Sequence, residues 1–263
     1  MTGSIAGGTY QLGDVRIDLT VQGSGAPLLF LHPEIGVDPD LPVIAELARH
    51  WTVHVPSHPG FGASQLPRWM SEVDDLAYFY LDYLQAQGIA KAVVVGSSFG
   101  GWIAAEMAVR SCERISHLVL SGAAGIKVSD REHRDFADMF TLSINEVSAL
   151  AYTDAALAQC DYKTLDEAAL AVLHRNREST GLFAWSPYMH HPKLRRRLAR
   201  IQSPTLVLWG DDDRIVSADY GRAYSAAIPG ATFELIEHSG HYPHIEQPKA
   251  FAARVAAHVA AHV

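Results

Sequence analysis

Ala92-Val93-Val94-Val95-Gly96-Ser97-Ser98-Phe99-Gly100-Gly101-Trp102-Ile103-Ala104-Ala105-Glu106-Met107-Ala108 passes from an apolar, β-branched run through a corner of small residues into a helix-like stretch. A serine at a sharp strand-to-helix turn has strained backbone angles, and a side chain beside it would collide with the elements it joins. Glycine two positions to either side, Gly96 and Gly100, meets that need. Such a corner lifts the Ser98 hydroxyl above the sheet and leaves the next amide, that of Phe99, free to donate to an oxyanion. Five residues alone are a weak pattern, so the strand before and the helix after carry the inference.

Outward from this corner the chain alternates. Val15 to Val21 switches between apolar and polar positions like an antiparallel edge strand, and Pro27 to Leu31 is a continuous apolar run like a buried parallel strand. Leu41 to His50 and Val73 to Gln87 show helical periodicity, while Thr52 to Pro56, Ala92 to Val95 and Ile115 to Leu120 resemble strands. Strands alternating with helices imply an α/β fold with a mostly parallel sheet covered on both faces.

Between about Gly125 and Arg200 the strands vanish. Three capping boxes, Ser129 with Glu132, Ser143 with Glu146 and Thr164 with Glu167, each predict the start of a helix. The expected organisation is a core of residues 1–124 and 201–263 interrupted by a helical insertion at 125–200. Past Ser203-Pro204 the alternation resumes with a strand at Thr205 to Trp209, a helix at Ala218 to Ile228, a strand at Thr232 to Ile236 and a helix from Lys249 onward.

Composition excludes several classes. The 263 residues can bury a full core, and the net charge of -8 lacks the electrostatic footprint of a nucleic-acid or anionic-lipid binder. The one basic run, Arg195-Arg196-Arg197 with Arg200, fits the solvated face of a helix. Two cysteines, Cys112 and Cys160, are too few for a disulfide framework. The N-terminal Met-Thr-Gly-Ser-Ile-Ala-Gly-Gly lacks a basic and then an apolar region, and no apolar stretch approaches a membrane span. A cytoplasmic protein acting on a small molecule, with neither nucleic acid nor membrane as partner, is the expectation; oligomeric state leaves no trace in the sequence.

Two further segments accompany Ser98. Leu208-Trp209-Gly210-Asp211-Asp212-Asp213 ends a buried strand with three carboxylates in a loop, any of which could orient a base, and Ser239-Gly240-His241-Tyr242-Pro243 follows the last strand. His238, His241 and His244 are evenly spaced, but a loop with Gly and Pro does not align them, and no Cys or paired carboxylate completes a tetrahedral metal site. No metal is expected.

With these pieces the chain resembles the α/β-hydrolase family, whose nucleophile, acid and base follow in the order Ser98, Asp213, His241. Phe30-Leu31-His32, Pro59-Gly60-Phe61-Gly62-Ala63-Ser64 and His244-Ile245-Glu246-Gln247-Pro248 are similar to other family segments. The family spacing Gly-x-x-Asp chooses Asp213 among the three acids. The resemblance implies a cofactor-free serine hydrolase with an acyl-enzyme on Ser98, His241 as base and Asp213 as its orienter. It also implies that the insertion is a cap. The family's His-Gly after the third strand is here His32-Pro33-Glu34-Ile35-Gly36, so the second oxyanion donor falls on the amide of Glu34. The Glu34 carboxylate must then turn away or meet a cation or hydroxyl.

His32, Trp102, Trp185, Tyr188, Met189, His190 and Tyr242 are the candidates for a largely apolar substrate pocket. Small or medium apolar esters or lactones are the expected substrates. Carbon–carbon hydrolysis of ring-cleavage diketones is the alternative, because those relatives share the Ser-Phe-Gly-Gly neighbourhood but hold an arginine near the nucleophile. The helix after Ser98 has no arginine before Arg110. A small-ligand receptor with a retained triad is the alternative from outside enzymology.

Overall fold

Apolar runs with both faces to bury pair into a sheet, and the helices between them cover it. The computed structural model describes residues 6–158 and 164–262; Cys160 and the first five residues of the N-terminal stretch lie outside them. The strands are β1 (Ala6–Leu12), β2 (Val15–Gly23), β3 (Ala26–Leu31), β4 (Trp51–Pro56), β5 (Ala92–Ser97), β6 (Ile115–Ser121), β7 (Thr205–Gly210) and β8 (Thr232–Ile236). Their order is β1-β2-β4-β3-β5-β6-β7-β8. β2 is antiparallel to both neighbours, and the pairs from β4 to β8 are all parallel.

The helices are α1 (Pro42–Leu47), α2 (Val73–Ala86), α3 (Phe99–Arg110), α4 (Ile144–Ala151), α5 (Ala155–Ala158), α6 (Glu167–Ala184), α7 (Leu194–Arg197), α8 (Ala218–Ala226), α9 (Pro243–Glu246) and α10 (Pro248–Ala260). Strand pleating sorts side chains to two cores. Leu29, Leu31 and Val94 join α2, α3 and α8 on one face, while Leu28, Phe30, Val93 and Val95 join α1 and α10 on the other.

Three expectations need correction. The Val15–Val21 segment is not the edge strand, because β1 pairs along it, with Tyr10 opposite Ile17. β1 escaped the pattern since it contains Gly7 and Gly8 and its described side chains are exposed or half-buried, leaving no apolar run. No helix opens at Ser129: Asp135 takes the amides of Val128 and Ser129 at 3.0 and 2.9 Å, and Lys127 joins it, so the segment is an ordered loop. The Thr164 box is displaced as well, because Asp166 caps α6 by accepting from the amide of Ala169 at 2.8 Å. The Ser143 box forms as read, with Glu146 Oε2 accepting from the Ser143 amide at 2.8 Å.

Candidate active site

Three loops at the carboxyl ends of β5, β7 and β8 bring the site together, the edge of a parallel sheet where ligands commonly bind. Ser98 has φ 47° and ψ −112°, in the region L-residues rarely enter. A Cβ on Gly96 would lie 2.4 Å from the Gly100 carbonyl oxygen, and one on Gly100 would lie 2.2 Å from that of Leu31. The two glycines therefore permit both the corner and the close approach of α3 to the end of β3, which brings the Glu34 loop beside the serine.

Ser98 Oγ donates to His241 Nε2 at 2.9 Å, and His241 Nδ1 donates to Asp213 Oδ2 at 2.8 Å. The other Asp213 oxygen accepts the amides of Ile215 and Val216, both at 3.0 Å, which fixes the carboxylate. Ser98, His241 and the Asp213 side chain are fully buried. Burial opposes a charge on His241, but the Asp213 charge, its hydrogen bond and the Glu34 charge outweigh it and raise the pKa. The other two acids lie elsewhere. Asp212 is 55% exposed and pairs with Arg214, and Asp211 accepts from the amide of Ser239.

The amides of Phe99 and Glu34 have no hydrogen-bond acceptor among the described residues. The Glu34 side chain is buried, and Tyr242 Oη donates to its Oε1 at 2.5 Å. Tyr242 packs against His241 with ring centroids 4.9 Å apart. Beside this pair lies a cavity of about 120 Å³. Its apolar wall includes Ile35, Met139, Phe140, Ile144, Val147 and Leu173, and its polar groups are Glu34, Asn176, Arg177, Thr180 and Tyr242.

Of the seven pocket candidates, Tyr242 alone lines this cavity. His32 is a buried joint instead: Nδ1 donates to the Pro33 carbonyl at 2.6 Å, Nε2 accepts the His58 amide, and the ring stacks on His58 at 3.6 Å. Trp102 is buried over Glu106, with Nε1 donating to it at 3.4 Å. Trp185 is 54% exposed against Phe140. Tyr188 bridges the Ala137 carbonyl and the Met139 amide, Met189 is buried with φ 53°, and His190 folds back on the Tyr188 carbonyl. Ring packing engages His32, Trp102, Trp185 and Tyr188, while Tyr188, Met189 and His190 line a different cavity beside Lys127 and Asp135. Among the described residues no group of three His, Cys, Asp or Glu side chains has the arrangement of a metal site.

Asn176, Arg177 and Thr180 went unread as cavity residues. Asn176, Ser179 and Thr180 are buried polar residues on one face of α6, and that polar stripe at helical spacing was the available signal. It docks α6 onto the loops after β3 and β4: Asn176 donates to the Ile35 carbonyl at 2.9 Å and accepts the Gly62 amide at 2.9 Å, and Ser179 donates to the Gly60 carbonyl at 2.7 Å.

A family model for the alpha/beta hydrolase fold matches residues 26–248. The chain is 29% identical to the dihydrolipoyllysine-residue acetyltransferase component of the acetoin cleaving system of Cupriavidus necator, over 97% of this chain and 70% of that protein. It is 28% identical to the 2-hydroxymuconate semialdehyde hydrolase of Pseudomonas putida, over 91% of this chain and 89% of that one. The crystal structure of a meta-cleavage product hydrolase mutant superposes with a TM-score of 0.79 at 23% identity, covering 97% of this chain and 98% of that one. No described helix is long and apolar enough to cross a membrane.

Proposed function

The chain belongs to the alpha/beta hydrolase fold family, and from that premise we propose that Ser98, His241 and Asp213 are the catalytic triad of a serine hydrolase acting on small or medium, mostly apolar carboxylic esters or lactones. The observation that carries this reading is the unbroken buried relay from Asp213 through His241 to Ser98. His241 takes the serine proton as Oγ attacks the carbonyl carbon, and the tetrahedral oxyanion accepts from the amides of Phe99 and Glu34. His241 then returns the proton to the alkoxide, which leaves as alcohol. Water, deprotonated by the same histidine, frees the acid from the acyl-enzyme. Residues 125–200 act as a cap, a role supported by the docking of α6 on the loops beside the serine.

Carbon–carbon hydrolysis is the second reading, favoured by one observation: Arg177 lines the cavity and could meet a dienoate carboxylate. Esters remain preferred because the buried Glu34 carboxylate, coupled to His241, opposes a second negative charge beside the reacting carbonyl. The test compares kcat/KM for phenyl butanoate and for a 2-hydroxy-6-oxo-dienoate. The ester is expected to lead by tenfold or more. A tenfold lead for the dienoate would replace the reading, and tight binding of either without turnover would favour a receptor.

A further inference from the structure

Glu34 holds an oxygen that the proposed hydrolysis does not use. Glu34 is buried, with only 7% of the residue exposed, and its Oε2 has no hydrogen-bond partner among the described residues. Tyr152, whose hydroxyl feels the Glu34 charge, does not bond Oε2, and the other nearby donors have acceptors elsewhere. The single Tyr242 hydroxyl proton goes to Oε1, Thr180 Oγ1 donates to the Asn176 carbonyl at 2.8 Å, and Asn176 Nδ2 is bonded to the Ile35 carbonyl. Arg177 lines the same cavity but donates to the Phe140 carbonyl, and no ion pair joins it to Glu34 among the described residues. A buried carboxylate oxygen is costly to leave without a donor. Oε2 is itself buried, so a donor on a substrate in the cavity reaches it as the Glu34 side chain turns toward the space it lines.

We propose that Glu34 sets acyl specificity: Oε2 accepts a hydrogen bond from a hydroxyl or ammonium group on the acyl part of the substrate, so that donor-bearing esters are taken over carboxylate-bearing ones. The inference rests on the reading of Ser98 as nucleophile, which puts the acyl group beside Glu34. Sites built to hydrogen-bond a substrate discriminate strongly against analogues that leave the buried group unpaired. The apolar wall of Ile144, Val147 and Leu173 suits the hydrocarbon remainder of the acyl chain.

Four methyl esters of similar length test it: methyl butanoate, methyl 3-hydroxybutanoate, methyl 3-aminobutanoate and monomethyl succinate. In the wild type, kcat/KM for the 3-amino ester is expected to exceed that for the succinate ester by at least a hundredfold, and the 3-hydroxy ester to exceed the butanoate by at least tenfold. Glu34→Gln should shrink the amino-to-succinate ratio tenfold or more, whereas Tyr242→Phe, which keeps the charge, should preserve it. Ratios within one variant cancel any general change in activity. Calorimetric binding of the same esters to Ser98→Ala reads the preference without turnover. If no ester is hydrolysed yet Ser98→Ala binds the amino ester selectively, the ester reading fails and the role of Glu34 stands. Equal ratios in the wild type and Glu34→Gln, in turnover or in binding, overturn the proposal.

Discussion

Asp213 and Asp212 are neighbours with opposite surroundings, and a single amide substitution at each separates their roles. Asp213 is buried, with one oxygen on His241 and the other on two amides, while Asp212 faces solvent beside Arg214. Asp213→Asn is expected to retain the fold but lower kcat by about 10³ to 10⁴, the scale seen when a catalytic histidine loses its oriented tautomer. Asp212→Asn should stay within about threefold, as exposed ion pairs contribute little. Steady-state kinetics on phenyl butanoate checks both, and a reversal would move the acid to Asp212. The base supplies a second expectation. Only neutral His241 can accept the serine proton, and although burial favours that form, Asp213 and Glu34 raise its pKa, so kcat/KM should fall with acidification through a midpoint above the usual 6.5. Glu34→Gln removes one of those charges and should move the midpoint to lower pH; a midpoint that stays put would uncouple the two side chains. The partners of the Ser98–His241–Asp213 relay were legible because the glycine-bounded serine, the strand-end acids and the loop histidine match segments of the family that the chain resembles. The Glu34–Tyr242 pair was not, since 208 residues separate its members and only the folded chain brings them together.

Elements were legible in proportion to how much of their surface is buried. β5 and β7 are buried at every position and appear in the sequence as unbroken apolar runs, whereas β1, one-sided and glycine-containing, does not. Helix starts depended on competition for amides. Ser143 kept its capping box, Asp135 captured the amides near Ser129, and Asp166 stood closer than Thr164 to the first turn of α6. The cavity was illegible for a related reason: its wall draws on α4, α6 and loops whose mutual placement no local pattern encodes. That placement depends on Asn176, which pairs with backbone groups at Ile35 and Gly62. Asn176→Ala leaves both groups without that partner, so it is expected to lower stability by about 2 kcal/mol in urea unfolding. Because α6 carries part of the cavity wall while the triad sits on the sheet loops, KM for phenyl butanoate should rise several-fold with kcat changed less. An effect on kcat alone would assign Asn176 to the chemistry instead.

Across the whole molecule, one buried histidine is poised to accept a proton and others are prevented from doing so. Burial lowers the pKa of His32 to about 4 and that of His244 to about 3, and pushes His58 well below the usual 6.5. All three lie close to the sheet loops that carry the site: His32 and His58 stack on each other, and His244 Nδ1 lies 3.3 Å from Ser97 Oγ. Their signs are the same. A histidine held neutral by the fold binds its proton more readily when unfolded, so its contribution is complete above the unfolded value of about 6.5 and drains as pH falls, until about 4 for His32 and about 3 for His244. His241 runs the other way, with stability present below about 6.5 and lost as pH rises through its raised folded value. Burial lowers the pKa of His54, His117 and His258 as well, so six groups against one make acid the more damaging direction. Each depressed histidine adds a slope of about 1.4 kcal/mol per pH unit inside its window. Urea unfolding is therefore expected to show stability falling steeply from about pH 6 to about pH 5. His244→Phe, set among Phe30, Tyr242 and Phe251, removes one of these protons, and its slope should be shallower by about 1 kcal/mol per pH unit even if its absolute stability is lower. The same slope in both proteins would show that His244 takes no part in acid unfolding, and would leave the acid sensitivity to the other depressed histidines, His32, His54, His58, His117 and His258.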